Sequence, residues 1–322
     1  MAFQISDSGK ILNMKIVFMG TPDFSVPCLE RLISDGEDVV GVFTQPDKPK
    51  GRGYEMAFSP VKECALKHNI PVFQPKSMKD GEALKIMEEL NPDLTIVVAY
   101  GKILPKEILY FPKYNSINIH ASLLPAYRGA APIQWSILNG EKQTGVTSML
   151  MNEGLDTGDM LLSEKIDITE NMNAGELHDA LSVMGAEVMS KTIEQVKTNS
   201  LKPVKQDDSL SNYSPILSKA LCPTDFSKSA QEVHNHIRGL SPWPVATATF
   251  NGKRLKLHSS VIGGKTALTA GTVASTDGVI SVACGDGVCV NILSVQAEGK
   301  KRMSSKDFLL GHKIEKGSVM SK

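Results

Sequence analysis

An amide, an imidazole, a hydroxyl and a guanidinium fall within residues 118–129, in the stretch Asn118-Ile119-His120-Ala121-Ser122-Leu123-Leu124-Pro125 that runs on to Tyr127-Arg128-Gly129. The stretch follows the apolar run 116–119. On a strand, residues two apart face the same side, so Asn118 and His120 should point together from its carboxyl end. Ligands of open α/β sheets bind outside those ends. There an amide can donate to a developing oxyanion, and an imidazole can accept or release a proton near neutral pH. A second polar loop, Gly154-Leu155-Asp156-Thr157-Gly158-Asp159, begins 34 residues after His120. Its two glycines let the backbone bend closely around a small ligand, and Asp156 could orient the imidazole. Singly, these residues read as a satisfied polar pair and an Asx turn. Together they suggest a compact site that handles protons and polarises a carbonyl. No GxSxG elbow and no cysteine with a local activator supplies a nucleophile. A group transfer whose nucleophile is the substrate's own amine needs none.

The elements that must position these groups are legible as apolar runs. Strands are expected at residues 15–19, 39–43, 72–73, 94–98, 116–119 and 146–150. Helices are expected near 24–33, 60–68, 81–90, 132–138 and 174–197. The strands are continuous apolar runs rather than alternations, as in a sheet covered on both faces. The fold class is therefore α/β, a Rossmann-like doubly wound, mostly parallel sheet. The first turn reads Gly20-Thr21-Pro22-Asp23 and not GxGxxG, so no dinucleotide is expected. A polar, Pro- and Ser-containing stretch follows, then a helix near 229–238. Beyond it, short β-type runs at 246–250, 255–261, 271–275, 278–283 and 288–295 have the spacing of a small barrel. The expected organisation is an N-terminal extension over 1–13, a catalytic domain over 14–200, a linker over 201–218 and a C-terminal barrel over 219–322.

Composition supports a globular chain: 322 residues, 41% hydrophobic and 22% charged, with formal net charge zero. The charge is unevenly spread. Residues 210–322 carry 14 Lys and Arg against 7 Asp and Glu, and residues 1–209 carry 21 against 28. A basic C-terminal part attached to an acidic one suggests a polyanionic partner for the former. Five scattered cysteines without a CxxC pair argue against a disulfide framework and a zinc site, and fit a reducing cytoplasm. Cys284 and Cys289 read as buried small hydrophobes. No run is long enough to span a membrane, and residues 1–13 lack the features of a secretory signal.

The run N-x-H-x-S-L-L-P-x-Y-R-G followed by G-L-D-T-G-D resembles the formyltetrahydrofolate-dependent formyltransferases, and the resemblance extends over nearly the whole chain from Lys15. It implies a catalytic trio of Asn118, His120 and Asp156, a folate-binding segment at Ser122, Leu123, Leu124 and Pro125, and no metal. It implies 10-formyltetrahydrofolate as the formyl donor. Gln45-Pro46-Asp47-Lys48-Pro49-Lys50-Gly51-Arg52-Gly53 resembles the basic loop of those members that formylate methionyl initiator tRNA. Lys48, Lys50 and Arg52 are then expected to contact tRNA, as a glycine-flexible cationic loop can. Pro242-Trp243-Pro244 and the basic barrel are similar to their C-terminal, oligonucleotide-binding-like domain. Two departures are visible: Ala121 stands where glycine is common, and Ser241 where asparagine is common. The resemblance implies a cytoplasmic enzyme of translation initiation, and a monomer is expected. A sugar-nucleotide amine or water as acceptor, or binding of folate or RNA without catalysis, stay open at this level.

Overall fold

The computed structural model describes residues 14–50 and 55–322. The expected extension 1–13 and Arg52 lie outside the described residues. The chain divides into two compact units. The first takes the chain to Gly129, then Gly145–Lys165 and Asp179–Tyr213; the second takes Ala130–Thr144, Ile166–His178 and Ser214–Lys322. These boundaries differ from those read in the sequence. Residues 201–213 belong to the first unit, and two inner stretches of the chain belong to the second.

The first unit is built on a seven-stranded sheet. Its early strands are β1 (Lys15–Gly20) and β2 (Asp38–Phe43), followed by a small hairpin of β3 (Lys48–Lys50) and β4 (Glu55–Ala57). Then come β5 (Val72–Phe73), β6 (Leu94–Val98), β7 (Ser116–His120), the two-residue β8 (Arg128–Gly129), β9 (Gln143–Leu150) and β10 (Met160–Asp167). The sheet order is β10-β9-β7-β6-β1-β2-β5. From β5 through β2, β1 and β6 to β7 the neighbours are parallel, and β9 runs antiparallel to β7. The chain winds outward from β1 through β2 to β5, then returns to β6 on the other side of β1. That reversal opens a crevice at the carboxyl ends of β1 and β6.

Local chemistry explains the elements. Ile16, Val17, Phe18 and Met19 of β1 are fully buried, and so are Leu94, Ile96 and Val98 of β6, because helices cover both faces. Helix α1 (Val26–Ser34) buries Cys28, Leu29 and Leu32 on one stripe. Helix α2 (Pro60–Lys67) starts with Pro60 in its first turn, and its N-cap Ser59 accepts from the Lys62 amide. Helix α3 (Glu82–Leu90) ends on left-handed Asn91, and α4 (Lys106–Leu109) is a single turn. Each fully buried Leu, Ile, Phe or Met contributes about 1.5–3 kcal/mol, so this sheet is a rigid base for its loops.

The second unit contains α5 (Pro132–Leu138). Helix α6 (Ala174–Lys197) begins in this unit and continues into the first. After the two-residue β11 (Tyr213–Ser214) comes α7 (Ala230–Gly239), opened by a capping box between Ser229 and Glu232. A curled antiparallel sheet follows: β12 (Ala246–Phe250), β13 (Lys253–Lys265), β14 (Val273–Ser275), β15 (Ile280–Ala283), β16 (Val288–Ala297) and β17 (Met303–Ser304), then α8 (Ser305–Gly311). The order β12-β13-β16-β15-β14, with β17 on β16, makes an oligonucleotide-binding-like half-barrel. Its core joins Val233 and Ile237 of α7 to Leu255, Leu257, Val282, Val290 and Ile292 of the sheet. Residues 317–321 pair with both edge strands. Ser321 exchanges two hydrogen bonds with Thr249 of β12 (2.7 and 3.0 Å), and the Met320 amide donates to Gly271 beside β14 (2.8 Å).

The inner stretches belong to this unit for a clear reason. The Gly239 backbone lies close against Ile137 and Leu138 of α5. Buried Arg238 donates to the carbonyls of Thr169 (3.2 Å) and Met172 (2.9 Å), so residues 166–173 are tied to α7. Burial pulls the Arg238 guanidinium below its ordinary value, and these carbonyls supply the acceptors it needs. All five cysteines are free and buried. Burial pushes the Cys28 and Cys284 thiols up to about 12, which makes both inert.

Candidate active site

The apolar strand β7 ends in the two polar side chains that the sequence singles out. Asn118 is half-buried and His120 is buried, and the alternation of the strand puts both on one side. Parallel pairing of Val97 with Asn118 and antiparallel pairing of Met149 with Asn118 fix the register from both flanks. Asp156 comes to His120 from the loop between β9 and β10. Its Oδ2 lies 3.8 Å from His120 Nδ1, and the two side chains are only 8% and 11% exposed. The same Oδ2 accepts a hydrogen bond from the Gly129 amide at 2.8 Å.

The other imidazole nitrogen decides the tautomer. His120 Nε2 lies 3.0 Å from the carbonyl of Tyr127, which can only accept, so Nε2 carries the proton in the neutral ring. Nδ1 is the nitrogen left to act. At 3.8 Å it is too far from Asp156 for a direct hydrogen bond.

The Asp156 loop is held in a conformation few residues adopt. Asp156 is left-handed, with φ of +52°. A Cβ at Gly158 would sit 1.6 Å from the Leu150 carbonyl oxygen, so only glycine fits there. Asn152 accepts from the Gly154 amide (3.0 Å) and the Thr157 hydroxyl (2.8 Å), closing the turn.

The segment Ser122, Leu123, Leu124, Pro125 forms a tight loop after β7 with a cis Leu124–Pro125 peptide. Ser122 and Leu124 are buried; the Ser122 hydroxyl donates to the Ala126 carbonyl at 2.7 Å and is spent within the loop. Thr147 of β9 donates to the Ser122 carbonyl (2.8 Å) and accepts from the Leu124 amide (3.2 Å). Leu123 and Pro125 keep partial exposure, so they are the two that can line a flat slot. Behind the crevice, the Thr21 hydroxyl and the Gln45 side-chain amide both donate to the Tyr100 carbonyl, at 3.0 and 3.2 Å.

Lys48 and Lys50 fall on β3, so the expected flexible loop is a β-hairpin whose tip, with Arg52, lies outside the described residues. Lys48 is exposed. The hairpin root is fastened by Asp47, which accepts from Lys62 (2.6 Å) and Gln74 (2.8 Å). The bonds from Lys62 and then Gln74 hold the Asp47 carboxyl below its ordinary value.

Two functional-site neighbours escape sequence reasoning. Gln206 donates through Nε2 to the carbonyls of Asp156 (2.8 Å) and Gly158 (2.7 Å). Asn212 accepts from the Tyr127 amide and, through its own carbonyl, from the Arg128 amide at 3.1 Å. Both lie in the stretch read as linker. A polar groove elsewhere in this unit is lined by charges that have partners: Lys197 pairs with Glu37 at 2.6 Å, Asp35 with Arg31 at 2.7 Å and Lys191 with Glu164. Among the described residues no group of three or more His, Cys, Asp or Glu could hold a metal.

The formyl transferase family matches residues 14–193, and the C-terminal domain of the formyl transferases matches residues 216–313. A methionyl-tRNA formyltransferase of Alkaliphilus oremlandii (strain OhILAs) is 51% identical over 95% of this chain and 99% of its own length. The chain belongs to the methionyl-tRNA formyltransferases. Another, of Clostridium novyi (strain NT), is 50% identical over 95% of this chain and the whole of its own. The fold alone is shared with an N-formyltransferase of Helicobacter canadensis in complex with folinic acid and dTDP-3-aminofucose. That likeness has a TM-score of 0.67 and 21% identity, and covers 89% of this chain and 100% of that one. The enzyme therefore transfers a formyl group from a formyl donor to methionyl-tRNA. No helix among the described residues is long and apolar enough to cross a membrane.

Proposed function

We propose that the donor is 10-formyltetrahydrofolate, that the acceptor is the α-amine of methionine on initiator tRNA, and that Asn118, His120 and Asp156 carry the transfer. The observation that carries this reading is the buried His120–Asp156 pair beside Asn118 at the open end of β7. A model α-amine titrates near 8, so an attacking neutral fraction is available at neutral pH. Its nitrogen attacks the formyl carbon, and the carbonyl oxygen takes the charge of the tetrahedral intermediate. The Asn118 amide and a proton on His120 Nδ1 are the donors for that oxygen; one such donor is typically worth about 10²–10³ in rate. Collapse breaks the bond to the folate nitrogen. The proton lost by the amine ends on that nitrogen, with His120 and Asp156 supporting its passage. Leu123 and Pro125 line the donor's slot, and Ser122 and Leu124 shape it from below.

The tRNA is bound mainly through phosphates. Lys48, Lys50 and Arg52 contact it. In the second unit Arg254 and Lys256 alternate with buried Leu255 and Leu257 along β13, and Trp243 is 57% exposed. Exposed cations and an exposed aromatic on the same unit suit a nucleic acid. The chain acts as a monomer in the cytoplasm.

The test is formyl transfer from 10-formyltetrahydrofolate to methionyl initiator tRNA, beside elongator methionyl-tRNA and a His120→Ala variant. Transfer to the initiator alone, abolished in the variant, is expected. Unimpaired transfer by the variant sinks the site assignment, and equal use of both tRNAs sinks the acceptor assignment.

A further inference from the structure

Both members of the His120–Asp156 pair lean on one strand of chain, residues 204–212. Its first residue, Val204, pairs with Met160 just beyond the Asp156 loop, amide to carbonyl in both directions (2.9 and 2.8 Å). Gln206, 5% exposed, comes next. Its side-chain NH₂ donates to the carbonyls of Asp156 and Gly158. Its Oε1 accepts from Arg128 Nε (3.0 Å) and from a terminal Arg128 nitrogen (2.8 Å). That terminal nitrogen also reaches Asp208 at 2.7 Å. Asn212 then holds the Tyr127 amide, and the Tyr127 carbonyl is the acceptor for His120 Nε2.

From this arrangement we infer that Gln206 is a positioning residue for the formyl transfer, setting the Asp156 carboxylate against His120 through the backbone of the Asp156 loop. The inference rests on the proposed roles of His120 and Asp156. An amide is the side chain that fits: two carbonyls require a donor on one end and a guanidinium requires an acceptor on the other. Left-handed Asp156 is sparsely populated backbone, which persists only where its surroundings determine it, and Gln206 binds it directly. A shift of about 1 Å in a group that aligns reacting atoms can cost about 10²-fold in rate. Glutamate fills the same volume but puts a carboxylate oxygen against two carbonyl oxygens. Methionine fills it without any polar partner.

The test measures steady-state formyl transfer to methionyl initiator tRNA by Gln206→Glu and Gln206→Met, each alone and each in an Asp156→Asn background, with Arg128→Lys as a milder change at the far end of the same contact. Expected for the Gln206 variants is a fall in kcat of about ten-fold or more with the donor KM held within about three-fold. In the Asp156→Asn background neither should lower kcat further, because residues acting as one unit are not additive. Arg128→Lys should show a smaller fall with the same loss of additivity, which keeps the question open to decision if a Gln206 variant does not fold. Unchanged kcat in the Gln206 variants, or the same factor lost in both backgrounds, overturns the inference while leaving the pair intact. Full turnover by Asp156→Asn alone overturns the reading of the pair, and the inference with it.

Discussion

A methyl group at position 158 would meet the Leu150 carbonyl oxygen at 1.6 Å, so the turn that carries Asp156 exists only because residue 158 has no side chain. Gly158→Ala should therefore move the carboxylate as well as destabilise the unit. Its kcat should fall by about 10² or more while the donor is still bound, read by steady-state kinetics beside donor titration. Asp156→Asn is the cleaner change, since asparagine also tolerates left-handed backbone. It removes the charge and keeps the turn, so the melting temperature should hold while kcat falls by about 10²–10⁴. A melting temperature that falls with kcat would show that the carboxylate is structural. At this scale the sequence was legible where polar groups interrupt apolar runs or sit between glycines, as at Asn118, His120 and Asp156. Gln206 and Asn212 gave no such signal. They lie in a polar stretch, and their hydrogen bonds run inward to backbone atoms far away in the chain.

Among the elements, β1, β2, β6 and β7 were readable because burial on both faces leaves a continuous apolar run. Strand β10 was not, because its exposure alternates and its exposed positions are the polar Ser163, Lys165 and Asp167. The hairpin of β3 and β4 was hidden by its own composition: Pro49 and the glycines around Arg52 read as a loop. The structure shows instead a ladder of three residue pairs fastened at its root by Asp47, Lys62 and Gln74. A fastened root makes Lys48 a presented cation and not one on a tether. Lys48→Ala should weaken tRNA binding and reduce the slope of log affinity against log salt by about 1, with donor affinity unchanged. Binding titrations over a range of salt concentrations decide this; an unchanged slope removes Lys48 from the phosphate contacts.

At the scale of the molecule, the second unit gathers residues that the sequence placed in the first, because Arg238 and the Gly239 backbone recruit residues 137–138 and 169–172. The unit also carries a titration that can be followed. The Asp225 carboxyl is held down to about 2, first by Lys322 at 2.7 Å and then by Ser227. Its folded value lies below the ordinary value near 3.9, so its contribution is present above about pH 4 and is lost as the pH falls toward 2. Asp225→Asn should flatten the fall in melting temperature across that window and leave the neutral-pH activity in place. An identical acid profile would show that the carboxylate gains nothing from its partners.

Residues 317–321 lie between the edges of β12 and β14, and this position has a temporal consequence. During synthesis the amides and carbonyls of Thr249 and Val273 must wait without these partners until residues 317–321 have emerged. Unpaired edges are templates for other chains. A chain cut before residue 317 thus offers those groups of β12 and β14 to other molecules, a natural target for chaperones and proteases.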